Sequence, residues 1–196
     1  MKKIPENTFH IISLGCAKNL VDSQSYAQLM GKRNLFATEK ISKAKFILVN
    51  TCGFIHDARE ESFATIRAAA KQKKPGQKLI VTGCLSERYK EALLDEVEGI
   101  DGLVGTRNLH DLTTLLSALE NETNETKETQ VYFPEYQRIV NQADVNSVAI
   151  QGSSAYLKIA DGCRRSCAFC AIPFIKGPLV SRPREQVLAD AALLQA

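Results

Sequence analysis

Short, unbroken apolar runs alternate with longer helix-like segments over the first 119 residues of the chain. The apolar runs are FHIISL (9–14), KFILVN (45–50), KLIVTG (78–83) and GLVG (102–105). Their β-branched content and brevity predict strands. Between them lie segments with helical spacing or helix-forming composition. Residues 19–33 carry Leu20, Tyr26 or Ala27, and Met30 at roughly helical spacing, and 57–74 ends at Pro75-Gly76. Segment 86–99 starts with Ser86 as a candidate N-cap and ends with Gly99 as a candidate C-cap; the last helix runs from about 108 to 119. Strands alternating with helices predict right-handed crossovers and a parallel sheet. Strands apolar on both sides predict helices on both faces. Residues 1–119 are therefore expected to form an open, doubly wound α/β domain.

The pattern then changes. ENETNETKETQ (120–130) has no hydrophobic residue, so 120–153 is read as a linker, with the aromatics of VYFPEYQRIV (131–140) docking onto a neighbouring surface. From Ser154 a second unit begins: a strand in AYLKIADGC (155–163), a cysteine loop, and a helix after Ser181 with Val187, Leu188, Ala191 and Leu194 on one face. One strand–loop–helix unit cannot cover its own apolar surface, so 154–196 reads as the truncated start of a second domain.

Composition narrows the class. The apolar runs are too short to span a bilayer, and Pro5, Glu6 and His10 interrupt any signal-peptide core, which predicts a cytoplasmic protein. In that compartment the sequons at Asn121 and Asn124 carry no meaning, and six cysteines are expected as thiols, metal ligands or catalysts. The net charge of +3 is too small to argue for nucleic acid. Residues 155–196 hold six basic residues (Lys158, Arg164, Arg165, Lys176, Arg182 and Arg184) against Asp161, Glu185 and Asp190. That surplus equals the whole net charge and is read as a solvated face.

The cysteines fall into two sets of three. Cys16, Cys52 and Cys84 each end or follow a predicted strand, with Gly15, Gly53 and Gly83 beside them. The C-terminal strand ends of an open parallel sheet share one ligand-binding edge, so these thiols meet if their strands are neighbours. Cys163, Cys167 and Cys170 crowd into DGCRRSCAFC (161–170). A structural zinc site takes four protein ligands, and the only histidines, His10, His56 and His110, are remote from this loop in sequence. A cubane iron–sulfur cluster held by three cysteines leaves one iron open to a small molecule. Two clusters, each with an open iron, fit the two sets. A zinc-bound scaffold and an electron-transfer protein remain as alternatives. No catalytic triad or carboxylate pair is found.

The spacing C-x3-C-x2-C of Cys163, Cys167 and Cys170, with Phe169 before the last cysteine, resembles the signature of radical S-adenosylmethionine enzymes. SLGCAKNLVDS (13–23), VNTCGFI (49–55) and VTGC (81–84) resemble the N-terminal domain of the methylthiotransferases within that group. The resemblance implies two [4Fe–4S] clusters, one on Cys163, Cys167 and Cys170 with S-adenosylmethionine at its open iron, the other on Cys16, Cys52 and Cys84. It implies an adenosyl radical that removes a substrate hydrogen, and a sulfur held at the second cluster. It places Phe169 near the adenine; a core aromatic of the loop is the other reading of that residue. It implies that 154–196 begins a (β/α) barrel. SLGC-KNLVDS and GPLVSRP (177–183) resemble the branch that modifies an aspartate of a small-subunit ribosomal protein; the tRNA adenosine branch is the alternative. The implied partners are that ribosomal protein and an external electron donor, with no membrane and no direct nucleic-acid contact by this segment. Further barrel strands and a small C-terminal RNA-binding-type domain, expected in the family, are absent, so the 196-residue chain is expected to turn over poorly or not at all.

Overall fold

A computed structural model describes residues 4–121, 129–133 and 145–195. Its centre is a six-stranded, wholly parallel sheet. The strands are β1 (Thr8–Ser13), β2 (Phe36–Ala37), β3 (Phe46–Thr51), β4 (Lys78–Gly83), β5 (Gly102–Val104) and β6 (Gln130–Tyr132), in the order β2-β1-β3-β4-β5-β6. Between them run α1 (Ala17–Lys32), α2 (His56–Gln72), α3 (Cys84–Tyr89), α4 (Ala92–Glu96) and α5 (Asp111–Glu120).

The pleat explains the winding. Successive side chains of a strand point to opposite faces. Phe46 and Leu48 of β3, with Ile80 of β4, pack against α1 and α5 through Tyr26, Met30, Leu112 and Leu116. Ile47, Val49, Leu79 and Val81 pack on the other face against Phe63 and Ile66 of α2, Leu85 of α3 and Leu93 of α4. Both faces are covered, as the continuous apolar runs predict. Truncating a fully buried residue such as Leu48 to alanine costs about 2–5 kcal/mol.

Several expectations need correction. The helix expected over 86–99 is two short ones, because Lys90 adopts a left-handed conformation at φ 49°. Ser86 is no N-cap; it lies inside α3, buried, and its Oγ donates to the carbonyls of Gly83 and Val104 at 3.0 and 2.8 Å. Gly99 has the positive φ of a chain reversal, at 86°, but α4 ends at Glu96. Within the stretch read as linker, β6 completes the sheet beside β5, and Phe133 packs on the α2–α4 side. Residues 122–128 and 134–144 of that stretch, with the Asn124 sequon and most of the aromatic segment, lie outside the described residues.

Residues 155–163 do not form one strand. They contribute to β8 (Ser154–Leu157), paired antiparallel with β7 (Val148–Gln151), and to β9 (Ala160–Asp161), paired antiparallel with β10 (Val180–Ser181). Between β9 and β10 sit the cysteine loop and α6 (Ile172–Lys176); α7 (Arg184–Leu193) follows. Of its expected apolar face, Val187 and Ala191 are partly covered, whereas Leu188 is 58% exposed; its one buried residue is Asp190. Among the described residues no helix is long and apolar enough to cross a membrane.

Candidate metal centres

The first thiol set assembles across the sheet. β1, β3 and β4 are adjacent strands, and their C-terminal ends deliver Cys16, Cys52 and Cys84 to one edge. Cys16 is the residue before α1, Cys52 directly follows β3, and Cys84 opens α3 directly after β4. The chain turns one way after β1, toward β2, and the other way after β3, toward β4. This is the switch point at which doubly wound sheets bind ligands.

Buried polar side chains hold the three loops in register. Asn19 of α1 donates through Nδ2 to the carbonyls of Leu14 and Thr51, at 2.9 and 2.8 Å, and its Oδ1 accepts from the Cys84 thiol at 3.7 Å. Asn50 donates to the Asn19 carbonyl and to Ser23 Oγ, both at 2.9 Å. Ser62 brackets Cys52, accepting from its N–H at 3.0 Å and donating to its carbonyl at 2.9 Å. Close packing continues at the glycines. A Cβ on Gly15 would lie 2.8 Å from Cys52 Cβ and 3.0 Å from its sulfur. Gly83, at φ 102°, leaves no room for one beside the backbone of Thr51.

Cys52 and Cys84 are buried, whereas Cys16 is exposed. Burial pushes the Cys84 thiol up to about 11; Lys176 opposes that shift, and the nearby Cys52, Asp22 and Cys16 add to it. Cys84 is therefore protonated before it meets a metal, and binding there releases its proton.

The second set is mounted differently. The β9–β10 pairing closes the base of its loop, and the Cys163 N–H donates to the Gly177 carbonyl at 3.1 Å. Gly162 takes φ 77° where a Cβ would strike the carbonyl oxygen of Pro178. Inside the loop the Cys170 N–H donates to the Cys167 carbonyl at 3.1 Å, and the Arg165 N–H points at Cys163 Sγ at 3.4 Å. Cys167 is exposed, and Cys163 and Cys170 are half-buried. Phe169 is 87% exposed, so the core-aromatic reading of that residue is wrong.

The solvated-face reading of 155–196 also fails for its central charges. Lys158 and Lys176 have side chains only 7% and 2% exposed, and both reach Asp22 of α1 at 2.8 Å. Lys158 also pairs with Asp161 at 2.6 Å. Arg182 pairs with buried Asp190 at 2.8 Å. Burial opposes ionisation of Asp22 and Asp161, but the two lysines outweigh it and hold both carboxyls below their ordinary range. Arg164, Arg165, Arg184 and Glu185 do face solvent. Asn19, Asn50, Ser62 and Asp22 were missed as individual residues. The available signal was a polar residue closing an apolar run, as Asn50 closes FILV.

All six cysteines are free, and soft sulfur donors suit iron–sulfur clusters or zinc. Among the described residues no group of three or more histidine, cysteine and acidic side chains is arranged to hold a metal ion as it stands. His10 is engaged with the Thr38 carbonyl at 2.7 Å, and His56 is exposed at the start of α2. Among the described residues neither set has a histidine grouped with it. By the chemistry of the donors alone, three thiols brought to one glycine-walled, partly buried edge are the kind of set a cluster with an open position would take.

An α/β domain with three cysteines at its switch point, followed by a C-x3-C-x2-C loop, defines the class. The chain belongs to the family described as "Uncharacterized protein family UPF0004", whose model matches residues 8–105. It is similar to proteins named "Ribosomal protein uS12 methylthiotransferase RimO". The one from Chlorobaculum tepidum is 40% identical over 187 residues, covering 94% of this chain and 39% of the relative. The one from Helicobacter pylori is 42% identical over 183 residues, covering 92% and 38%. The one from Chlorobium phaeobacteroides is 42% identical over 197 residues, covering 100% and 41%. The chain thus spans about two fifths of the length of the curated relatives it matches.

Proposed function

We propose that the chain carries the cofactor-binding part of a cytoplasmic methylthiotransferase that converts an aspartate of ribosomal protein uS12 to its 3-methylthio form. The observation that carries this reading is the pairing of two three-cysteine sets, one at a sheet switch point and one in a clasped loop. The names of the relatives support the ribosomal-protein substrate over tRNA. In this reading the α/β domain comprises 1–119 together with β6, which adds its last strand from within 120–153, and 154–196 is the start of a (β/α) barrel that β7 joins by pairing with β8.

In this reading Cys16, Cys52 and Cys84 hold one [4Fe–4S] cluster, and Cys163, Cys167 and Cys170 hold the other with S-adenosylmethionine. When bound, these groups supply one-electron chemistry that can break an unactivated C–H bond, which no side-chain base achieves. The residues of the chain bind, orient and shield. Asn19 and Asn50 fix the three strand-end loops, so the first thiol set cannot drift. The buried positions of Cys52 and Cys84 keep water from that side of the site. Phe169 presents an open aromatic face that can cover the adenosine of the cofactor. An external donor supplies the electron.

Mass spectrometry of uS12 and of tRNA from a strain lacking the gene tests the proposal. Loss of one methylthio group from uS12, with tRNA unchanged, is the expected result. An unchanged uS12 with a demethylthiolated adenosine would overturn the substrate assignment.

A further inference from the structure

One face of α1 performs two tasks. Asn19 and Ser23 look toward the strand-end loops, through the Cys84 thiol, the Leu14 and Thr51 carbonyls and Asn50. Asp22, on the same face of the helix, looks toward the second cysteine loop. Its carboxylate is fully buried and takes one lysine on each oxygen: Lys158 Nζ on Oδ1 and Lys176 Nζ on Oδ2, both at 2.8 Å. These lysines flank the loop, one before Cys163 and one after Cys170.

The surroundings reinforce the capture. Lys176 also donates to Thr106 Oγ1 at 2.8 Å. Lys158 shares Asp161 with Lys18 of α1, at 2.6 and 3.4 Å. Arg107, which pairs with Glu87 at 3.1 Å, donates to the carbonyls of Phe174 and Ile175 at 2.5 and 3.0 Å. Every contact joins the α/β domain to a flank of the loop or lies within that junction. A buried ion pair adds little stability over an apolar contact of equal volume. Its directional demands, however, admit one seating, whereas an apolar contact can slide.

We propose that Asp22 is the positioning residue that seats the Cys163–Cys170 loop on the edge formed by Cys16, Cys52 and Cys84, so that one helix sets the relative placement of both thiol sets. The significance of that placement rests on the two-cluster reading above; the seating itself does not. Asp22 outranks either lysine because its loss takes from both their shared partner on α1, leaving Lys158 with Asp161 and Lys176 with Thr106 and Asp161, whereas loss of Lys176 leaves Lys158 on Asp22.

Hydrogen–deuterium exchange on the full chain without cofactors tests the seating. In Asp22→Asn, amides of 158–177 should exchange at least about tenfold faster, with those of β3 and β4 within about threefold of wild type. Lys176→Met should produce a smaller local increase, and the double variant less than the sum of the two. If Asp22→Asn does not fold, Lys158→Met and Lys176→Met carry the test, since they leave α1 intact. Unchanged exchange in 158–177, or an equal rise in β3 and β4, would overturn the proposal. In the anaerobically reconstituted chain, Lys176→Met should keep wild-type iron content while the spin–spin broadening between the two reduced centres changes. Unaltered broadening would count against positioning. Absence of iron from the wild type would instead remove the two-cluster reading and leave the exchange result to decide the seating.

Discussion

The two cysteine sets present the same number of thiols on opposite kinds of support. Cys16, Cys52 and Cys84 are 68 residues apart from first to last and come together only because β1, β3 and β4 are neighbours. Cys163, Cys167 and Cys170 need no tertiary structure to be close; eight residues contain them. The first set is largely buried and tied by asparagines into the cooperative core, while the second rides on a loop clasped by a two-residue pairing. A site whose ligands are far apart in sequence inherits the rigidity of the sheet. A site whose ligands are local must obtain its placement from contacts at its flanks, and the lysines on Asp22 supply them.

The contrast can be broken most severely at glycine. Gly83→Ala forces a side chain into φ 102° and against Thr51, and should cost about 3 kcal/mol in urea unfolding. Gly162→Ala, equally strained at φ 77°, should open its loop to exchange with a much smaller global loss. Equal losses would mean that both sets belong to one cooperative unit. Alkylation sharpens the comparison next. In the unloaded chain at pH 8, Cys84, with its thiol pushed up to about 11, should react roughly 100-fold more slowly than exposed Cys167. Equal rates would contradict the buried mounting.

Asn19→Ala leaves the carbonyls of Leu14 and Thr51 without that donor and should cost about 2 kcal/mol, with loss of protection centred on the strand ends. The smallest effect is that of pH. Folding lowers the carboxyls of Asp22 and Asp161, so their contribution is present above the ordinary aspartate range and lost as pH falls below it. Urea unfolding at pH 5 and pH 3 should show wild type losing more stability than Asp22→Asn. Asp111 works in the opposite sense. Burial raises it to about 6, so its contribution weakens as pH climbs from 3.8 to that value, and Asp111→Asn should remove that slope.

Much of the sheet and both thiol sets were legible in the sequence, for different reasons. The core strands β3 and β4 are apolar on both faces, and such runs admit few other readings. The loop set was legible as a local pattern, and the strand-end set because βα order predicts a shared edge. The break at Lys90 was not, since nothing in SERYKEALLDEVEG marks a residue that must turn left-handed. The short pairs β7–β8 and β9–β10 were also missed, because strands of four and two residues carry too little period to register. The burial of Lys158 and Lys176 was invisible because their shared partner, Asp22, lies more than 130 residues away. Charge counts within 155–196 see a basic surface where the fold makes an interior salt link.

The most direct measurement is the iron and acid-labile sulfide content of anaerobically reconstituted chain, in wild type and in two triple variants that replace one thiol set each by alanine. Two independently held clusters require about eight iron and eight sulfide per chain for wild type and about four of each for either variant. Stoichiometric zinc without sulfide, or loss of all iron when a single set is removed, would contradict it.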